Sequence, residues 1–222
     1  MAQALKVVLL GEAGIGKTSL ISNLIIEGIF NYECISSLGT QFITKKIKVN
    51  NKEIKFDIWD TAGQERFRSL AKIFYKDAKA ICLCYDITNK KSFEEMKSYW
   101  YEQQVKLNVD GNPILAVVVN KYDLFEKQQV KDEEGIEFAK KINGIFQVTS
   151  AKKNAGIDEL FEKIGMKFID PNYDPYKIEN QERIEYEQKK IDKKNQIKFE
   201  EQNQSEGIKL NSVKKNKKKG FC

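Results

Sequence analysis

An eight-residue string near the N-terminus constrains the fold more than any other part of the chain. It reads Gly11-Glu-Ala-Gly-Ile-Gly-Lys-Thr18, the pattern G-x-x-x-x-G-K-[ST], and it joins an apolar run, Leu5–Leu10, to an amphipathic stretch, Thr18–Glu27. A strand that turns tightly into a helix presents backbone N–H groups and the helix N-terminus to an anion. The sequence therefore predicts a loop that binds the phosphates of a nucleoside triphosphate.

Individual residues of this loop have predicted roles. Lys17 is expected to reach the β- and γ-phosphates, and the Thr18 hydroxyl is expected to ligate Mg²⁺. The residues predicted to surround the phosphates are Ala13, Gly14, Ile15, Gly16, Lys17, Thr18 and Ser19. The alternative, an ordinary glycine turn, is disfavoured because the string lies between a strand and a helix.

Apolar runs alternate with amphipathic stretches through the first 170 residues. The predicted strands are Leu5–Leu10, Gln41–Val49, Glu53–Asp60, Ala80–Asp86, Pro113–Asn120 and Ile145–Thr149, and the predicted helices are Thr18–Glu27, Ser92–Val109, Asp132–Ile142 and Ile157–Ile169. This order predicts an α/β domain with a mostly parallel, six-stranded sheet and helices on both faces. Asn50-Asn51 suits a tight hairpin turn, which would add one antiparallel edge strand.

The net charge of +6 lies entirely in the last sixteen residues, 207–222, which hold six lysines and no acid. The other 206 residues carry 32 basic and 32 acidic side chains. A nucleic-acid-binding protein would spread basic residues over a folded face, so the sequence argues against nucleic acid as a partner. No apolar run approaches the ~20 residues that a membrane-spanning helix requires.

Composition changes after Asp170. Residues 171–206 are rich in Lys, Glu, Gln and Asn, with isoleucines six or seven positions apart, a stripe too narrow to hold a globular helix. We predict a domain at 1–170, a charged hypervariable spacer at 171–206 that is partly helical or disordered, and a polybasic tail at 207–222. A coiled-coil segment is the alternative for the spacer.

Histidine is absent and the four cysteines are scattered. These facts exclude histidine-dependent nucleophilic catalysis and histidine-ligated zinc, and they favour a reduced, intracellular protein. Cys82 and Cys84 lie two apart on a predicted strand and hence on one face, so we interpret them as core residues rather than metal ligands.

Three further strings resemble those of small GTPases. Asn120-Lys-Tyr-Asp123 resembles their N-K-x-D element, and Thr149-Ser-Ala-Lys152 resembles their S-A-K element. Trp59-Asp-Thr-Ala-Gly-Gln-Glu-Arg-Phe67 matches a segment of the Rab family without a departure. Residues 5–169 thus resemble a Rab small GTPase, nearest to the endosomal branch, which implies a phosphate-loop G domain.

The resemblance implies that the nucleotide is GTP or GDP, bound with Mg²⁺. The carboxylate of Asp123 would accept hydrogen bonds from guanine N1–H and the 2-amino group, a donor pair that adenine lacks. The implied guanine-binding residues are Phe30, Asn120, Lys121, Asp123, Ser150, Ala151 and Lys152. A phosphate-loop ATPase or kinase is a further interpretation, which Asn120, Asp123 and the S-A-K string oppose.

The resemblance also implies a molecular switch that hydrolyses GTP slowly and recruits effectors in vesicle trafficking. Asp60 would hold Mg²⁺ through water, the Gly63 N–H would sense the γ-phosphate, and Gln64 would orient the attacking water. Ser37 stands where a threonine is expected, and its hydroxyl would still ligate Mg²⁺. Because Ser37 and Ala13 depart from the common pattern, a hydrolysis-poor nucleotide-binding scaffold is the alternative.

The implied partners bind at two places. Phe42, Trp59 and Phe74 stand where Rabs carry an effector-facing aromatic triad, although simple core packing is the alternative. The terminal Cys222 follows the lysine cluster; Rabs usually end in two cysteines, so we predict one lipid chain assisted by lysines on an anionic membrane, with an unmodified tail as the alternative.

Further expectations concern partners and location. An exchange factor, a GTPase-activating protein, and a GDP-dissociation inhibitor or escort protein are expected, and the protein is expected to be monomeric. The expected location is cytoplasmic, with reversible attachment to the cytosolic face of intracellular membranes, of which endosomal ones fit the resemblance.

Overall fold

The computed structural model describes residues 4–26, 32–33, 41–61, 74–109 and 111–177. One sheet runs through them in the order β2-β3-β4-β1-β5-β6-β7. Its strands are β1 (Leu5–Leu10), β2 (Tyr32–Glu33), β3 (Gln41–Val49), β4 (Lys52–Asp60), β5 (Ala80–Asp86), β6 (Ile114–Asn120) and β7 (Ile145–Val148). Five neighbouring strands in this order, β4, β1, β5, β6 and β7, pair in parallel, while β3 runs antiparallel to β4.

The predicted class, an α/β domain with an antiparallel edge, is therefore confirmed. The six predicted strands are present with ends within one residue of the predicted ones. The structure adds β2, which pairs antiparallel with β3 at the sheet edge. Two residues cannot show an alternating pattern, so this strand had no signal in the sequence.

Burial explains why these strands read as apolar runs. Every residue of β5 is buried, and only Lys6 of β1 is not. Strands that are covered on both faces need apolar side chains at every position rather than at alternate ones. The β3–β4 hairpin instead alternates, and its turn residues Asn50 and Asn51 have φ of 46° and 62°, as a two-residue type I′ turn requires.

Helices cover both faces of the sheet. They are α1 (Lys17–Ile26), α2 (Lys90–Glu95), a π-helix (Met96–Val105), α3 (Lys106–Asn108), a 3₁₀ helix (Tyr122–Lys127), α4 (Asp132–Lys141) and α5 (Ile157–Ile169). The main core packs α1 and α5 on one face through Leu20, Leu24 and Phe161. On the other face Tyr85 of β5 contacts Phe93 of α2, which contacts Phe138 of α4.

The stretch Ser92–Val109, predicted as one helix, differs from its prediction. It starts at Lys90, where the Asn89 side chain accepts a hydrogen bond from the Ser92 N–H, and its middle ten residues are a π-helix. There, N–H groups bond carbonyls five residues back, as Lys106 does to Tyr101. Apolar residues spaced four or five apart fit this winding as well as an α-helix, so the sequence could not distinguish the two.

The chain divides into two units, Met1–Tyr173 and Asp174–Cys222. Only residues 174–177 of the second are described, so most of the predicted spacer and the whole predicted tail lie outside the described residues. Their limits stay a prediction. Within the described part of the chain, no helix combines the length and the apolarity that crossing a bilayer needs.

Candidate functional site

The strings singled out in the sequence meet at one edge of the sheet. The phosphate loop follows β1, Asp60 ends β4, Asn120 ends β6, and Ser150 follows β7 closely. Register places Leu9 beside Asp60 and Asp86 beside Asn120. Parallel strands bring their carboxyl ends together at one edge, which is where α/β proteins bind ligands.

Two glycines of the phosphate loop, Gly11 and Gly16, are required by close approaches. A Cβ on Gly11 would lie 2.4 Å from the carbonyl oxygen of Cys84, and a Cβ on Gly16 would lie 2.5 Å from Asn120 Nδ2. Gly16 also has a φ of +95°, a conformation that other residues rarely adopt. The loop is therefore packed tightly against β5 and β6 on its inner side.

Lys17 is buried at the centre of this loop. Its Nζ donates hydrogen bonds to the carbonyl oxygens of Gly11, at 2.8 Å, and Glu12, at 3.0 Å. Burial lowers the pKa of Lys17, and the nearby Cys84, Asp60 and Glu12 oppose this lowering in part. An anion such as phosphate would compensate for the water that the ammonium has lost.

Asp60 and Thr18 form an oxygen pair beside Lys17. Thr18 Oγ1 donates to Asp60 Oδ2 at 2.5 Å, whereas the buried Asp60 Oδ1 has no hydrogen-bond partner among the described residues. Burial raises the pKa of Asp60, against the effects of Thr18 and Lys17. A hydroxyl and a carboxylate with an uncommitted oxygen suit Mg²⁺, a hard cation that binds few protein groups and keeps several waters.

This oxygen pair is small compared with an all-protein metal site. Across the described ranges, no cluster of three or more Cys, Asp or Glu side chains could hold a metal ion. A Mg²⁺ ion at Thr18 and Asp60 would therefore depend on water and phosphate oxygens for the rest of its shell.

Asn120 joins the phosphate loop to the two loops predicted to hold the base. Its buried side chain donates from Nδ2 to the Ile15 carbonyl oxygen at 2.8 Å and accepts at Oδ1 from the Ala151 N–H at 3.2 Å. The next residue, Lys121, has a φ of 63°, and its Nζ contacts the Gly14 carbonyl oxygen and Asp86 Oδ2, each at 2.7 Å. The strings thus form one connected site.

Asp123 lies across from Ser150, whose hydroxyl donates to Asp123 Oδ1 at 2.7 Å. A cavity of about 330 Å³ opens beside them. Its lining residues are Gly16, Ser19, Asn120, Lys121, Asp123, Leu124, Ala151 and Lys152. Two of the predicted phosphate residues, Gly16 and Ser19, therefore share this cavity with five of the predicted guanine residues.

Two contributors were missed by the sequence reasoning. Leu124 lines the cavity, and the Asn23 amide on α1 donates to the Ala151 carbonyl oxygen. Leu124 directly follows the N-K-x-D string, so its position was a usable signal. Asn23 is 128 residues from its partner, and no local pattern could have revealed that contact.

The predicted aromatic triad is continuous in space. The ring centroids of Phe42 and Trp59 are 4.8 Å apart, and those of Trp59 and Phe74 are 6.1 Å apart. All three side chains are partly exposed, so the cluster is not simple core. The ammonium of Lys6 lies 5.2 Å from the centroid of Trp59.

Several predicted residues cannot be placed. These residues, Phe30, Ser37, Gly63, Gln64 and Cys222, lie outside the described residues, so their roles stay predictions.

Cys82 and Cys84 are fully buried thiols that form no disulfide, and burial raises the pKa of Cys84 to about 12. Their prediction as core residues is confirmed.

Comparisons with known proteins agree with this arrangement. The sequence model of the Ras family matches residues 6–170. The chain is 40% identical over 181 residues to the Ras-related protein RabJ of Dictyostelium discoideum, covering 81% of this chain and 70% of that protein. It is 41% identical over 170 residues to human Rab-21, covering 76% and 74%. With rice Rab5A it shares 39% over 164 residues, covering 74% and 79%.

These three relatives are Rab proteins from an amoeba, an animal and a plant. This breadth disfavours the alternatives of an ATPase, a kinase or a hydrolysis-poor scaffold. The chain belongs to the Ras family and is a Rab-type small GTPase, a guanine-nucleotide switch of membrane trafficking.

Proposed function

We propose that GTP and GDP bind with Mg²⁺ along the edge described above, with the polyphosphate on residues 13–19 and the base beside Asp123. The observation that supports this proposal is a pair of hydrogen bonds made by the Asn120 side chain. One goes to Ile15 of the phosphate loop and the other to Ala151 of the base loop. One buried side chain thereby sets the spacing between the two halves of the site. Ser37 and Gly63 complete the phosphate contacts, and Phe30 completes the base contacts.

Competition between nucleotides tests this assignment directly. A fluorescent GDP analogue bound to the full chain should be displaced by GTP at far lower concentration than by ATP, because ATP leaves the Asp123 carboxylate without its two donors. Equal displacement by ATP and GTP would contradict the assignment of the base site.

In the proposed mechanism the side chains position groups rather than form covalent bonds. Lys17 would bind phosphate oxygens in place of the two loop carbonyls that it contacts now. Thr18, Ser37 and Asp60 would hold Mg²⁺, an ion that supplies charge compensation to a polyphosphate. Gln64 orients the attacking water. The phosphate loop, 11–19, and the two base-binding strings contain no arginine, and we propose that an activating protein supplies one to offset charge in the transition state.

We expect the chain alone to hydrolyse GTP at about 10⁻⁴ to 10⁻³ per second, the rate scale of a small GTPase that lacks an arginine finger. Gln64→Leu should slow this hydrolysis further and barely change GTP affinity, because it removes a group that positions water and not one that binds nucleotide. Single-turnover measurements of both proteins check this. Rapid hydrolysis without a partner would refute the predicted slow rate, and an unchanged rate in Gln64→Leu would refute the role of Gln64.

The aromatic cluster is the proposed docking site for effector proteins. Phe42 and Trp59 lie opposite each other on β3 and β4, and Phe74 extends the cluster beyond them. Partly exposed aromatic rings are typical anchors of protein interfaces. An exchange factor, an activating protein and a GDP-dissociation inhibitor or escort protein complete the proposed partners. Nucleic acid is not among them, and the protein acts as a monomer.

We propose reversible attachment to the cytosolic face of intracellular membranes, of the endosomal type, through one lipid on Cys222 and the six lysines of residues 207–222. One lipid chain gives marginal binding, and each lysine adds about 1 kcal/mol near an anionic surface.

A tagged full chain should therefore lose membrane association in a Cys222→Ser variant. Neutralising the lysines should weaken it in part. Changing Cys34 to serine is the matched cysteine control. An unmodified Cys222 in the intact mass of protein from its native cell would refute the lipid.

A further inference from the structure

The phosphate loop carries one acidic side chain, Glu12, next to its one cation, Lys17. The backbone carbonyl of Glu12 accepts a hydrogen bond from Lys17 Nζ at 3.0 Å, so this residue directly contacts the cation proposed to bind the phosphates. Like charges repel, so a carboxylate that turned toward the loop would oppose the binding of polyphosphate. The loop can bind nucleotide well only if this carboxylate points elsewhere.

The indole of Trp100 binds this carboxylate. Trp100 Nε1 donates to Glu12 Oε1 at 3.0 Å, across 88 residues of sequence. Hydrogen bonds to a charged acceptor are stronger than those between neutral groups. This bond joins the phosphate loop to the π-helix.

The π-helix is a fixed support for that indole. Met96 and Trp100 are fully buried, and the Tyr75 hydroxyl donates to Gln104 Oε1 at 3.0 Å on the same helix. The Tyr99 ring also packs edge-on against Trp100, with centroids 5.1 Å apart. π-Helical turns within helices are rare and are frequent at functional sites.

We propose that Trp100 is a positioning residue, which holds the Glu12 carboxylate away from the phosphates and so preserves affinity for GTP relative to GDP. GTP carries the larger negative charge, so a released carboxylate repels it more strongly than it repels GDP. This inference rests on the proposed assignment of residues 13–19 to the phosphates.

The test is a double-mutant cycle that measures the dissociation constants of GTP and GDP for the full chain. Trp100→Phe removes the N–H donor and should weaken GTP binding about tenfold and GDP binding about threefold. In the Glu12→Gln background the charge is absent. There, Trp100→Phe should change the dissociation constants of GTP and GDP, and the ratio between them, by no more than about twofold. Tyr101→Phe, one position along the same helix, is the matched control.

A second variant keeps the test decisive if Trp100→Phe folds poorly. Glu12→Asp retains the charge but shortens the side chain, so the bond breaks without any change in the core. It should cause the same selective loss of GTP binding, and added salt should reduce that loss because it screens the repulsion. A purely structural role of Trp100 would show neither the selectivity nor the salt dependence.

Two results would overturn the inference: equal losses for GTP and GDP, or the same loss from Trp100→Phe when Glu12→Gln is also present. If the unmodified chain binds neither nucleotide, the proposed function itself is wrong and this inference falls with it.

Discussion

Asp123→Asn should weaken GTP binding by at least about a hundredfold, the largest effect expected from a single substitution in this site. The carboxylate accepts one hydrogen bond from Ser150 and has acceptor capacity left for two donors of the base. In the Asn variant an NH₂ group replaces one carboxylate oxygen and faces the N–H donors of the base. Two donors then oppose each other where a charge-assisted hydrogen bond had formed. The fold should survive, because the Ser150 hydroxyl can still donate to the amide oxygen.

Displacement of a fluorescent nucleotide measures this effect, with ATP as the second competitor. The preference for GTP over ATP should shrink together with the affinity, because both depend on the same acceptors. Glu126→Gln is the matched control, since Glu126 lies on the same 3₁₀ helix and is exposed. Retention of full GTP preference in Asp123→Asn would remove this residue from the base site.

Asp60→Asn should have opposite effects on the nucleotide-free and the nucleotide-bound protein. Without nucleotide, Asp60 is a buried carboxylate with one oxygen unpartnered among the described residues, and a neutral amide reduces that cost by about 1 kcal/mol, or roughly 2–4 °C in melting temperature. With GTP, the amide is a poor Mg²⁺ ligand, so the stabilisation that Mg²⁺ adds should be lost. Calorimetry with nucleotide, with and without Mg²⁺, measures both effects.

The pKa of Asp60 sets a pH dependence for the nucleotide-free protein. Because burial raises this pKa above 3.8, the folded state holds the proton more tightly than the unfolded chain. The stability that this provides is present at low pH and is lost as pH rises through the raised pKa. Asp60→Asn should flatten that slope. The control Asp57→Asn, on the outer face of the same strand, should leave the Mg²⁺ effect intact.

An unchanged Mg²⁺ requirement in Asp60→Asn would show that the ion is held elsewhere. A lower melting temperature of the nucleotide-free variant would show that the hydrogen bond from Thr18 and the charge of Lys17 outweigh the cost of burying the carboxylate.

Local sequence patterns were sufficient where chemistry depends on neighbouring residues. The loop at 11–18 and the strings that begin at Asn120 and Thr149 need their residues in a fixed order, because a backbone turn or a strand end presents them together. Continuous apolar runs likewise predicted β1 and β5, since strands buried on both faces cannot alternate.

Tertiary structure alone decided the contacts between distant residues. The bonds from Trp100 to Glu12 and from Asn23 to Ala151 join positions 88 and 128 residues apart, and a single sequence has no periodicity at such distances. The sequence also could not predict the π-helix, because its apolar spacing fits an α-helix equally well. It could not predict β2, because two residues are too few to show an alternating pattern. The sequence by itself identified the strings that form the candidate site, because their residues are neighbours along the chain, whereas packing decided which distant side chains hold those strings in place.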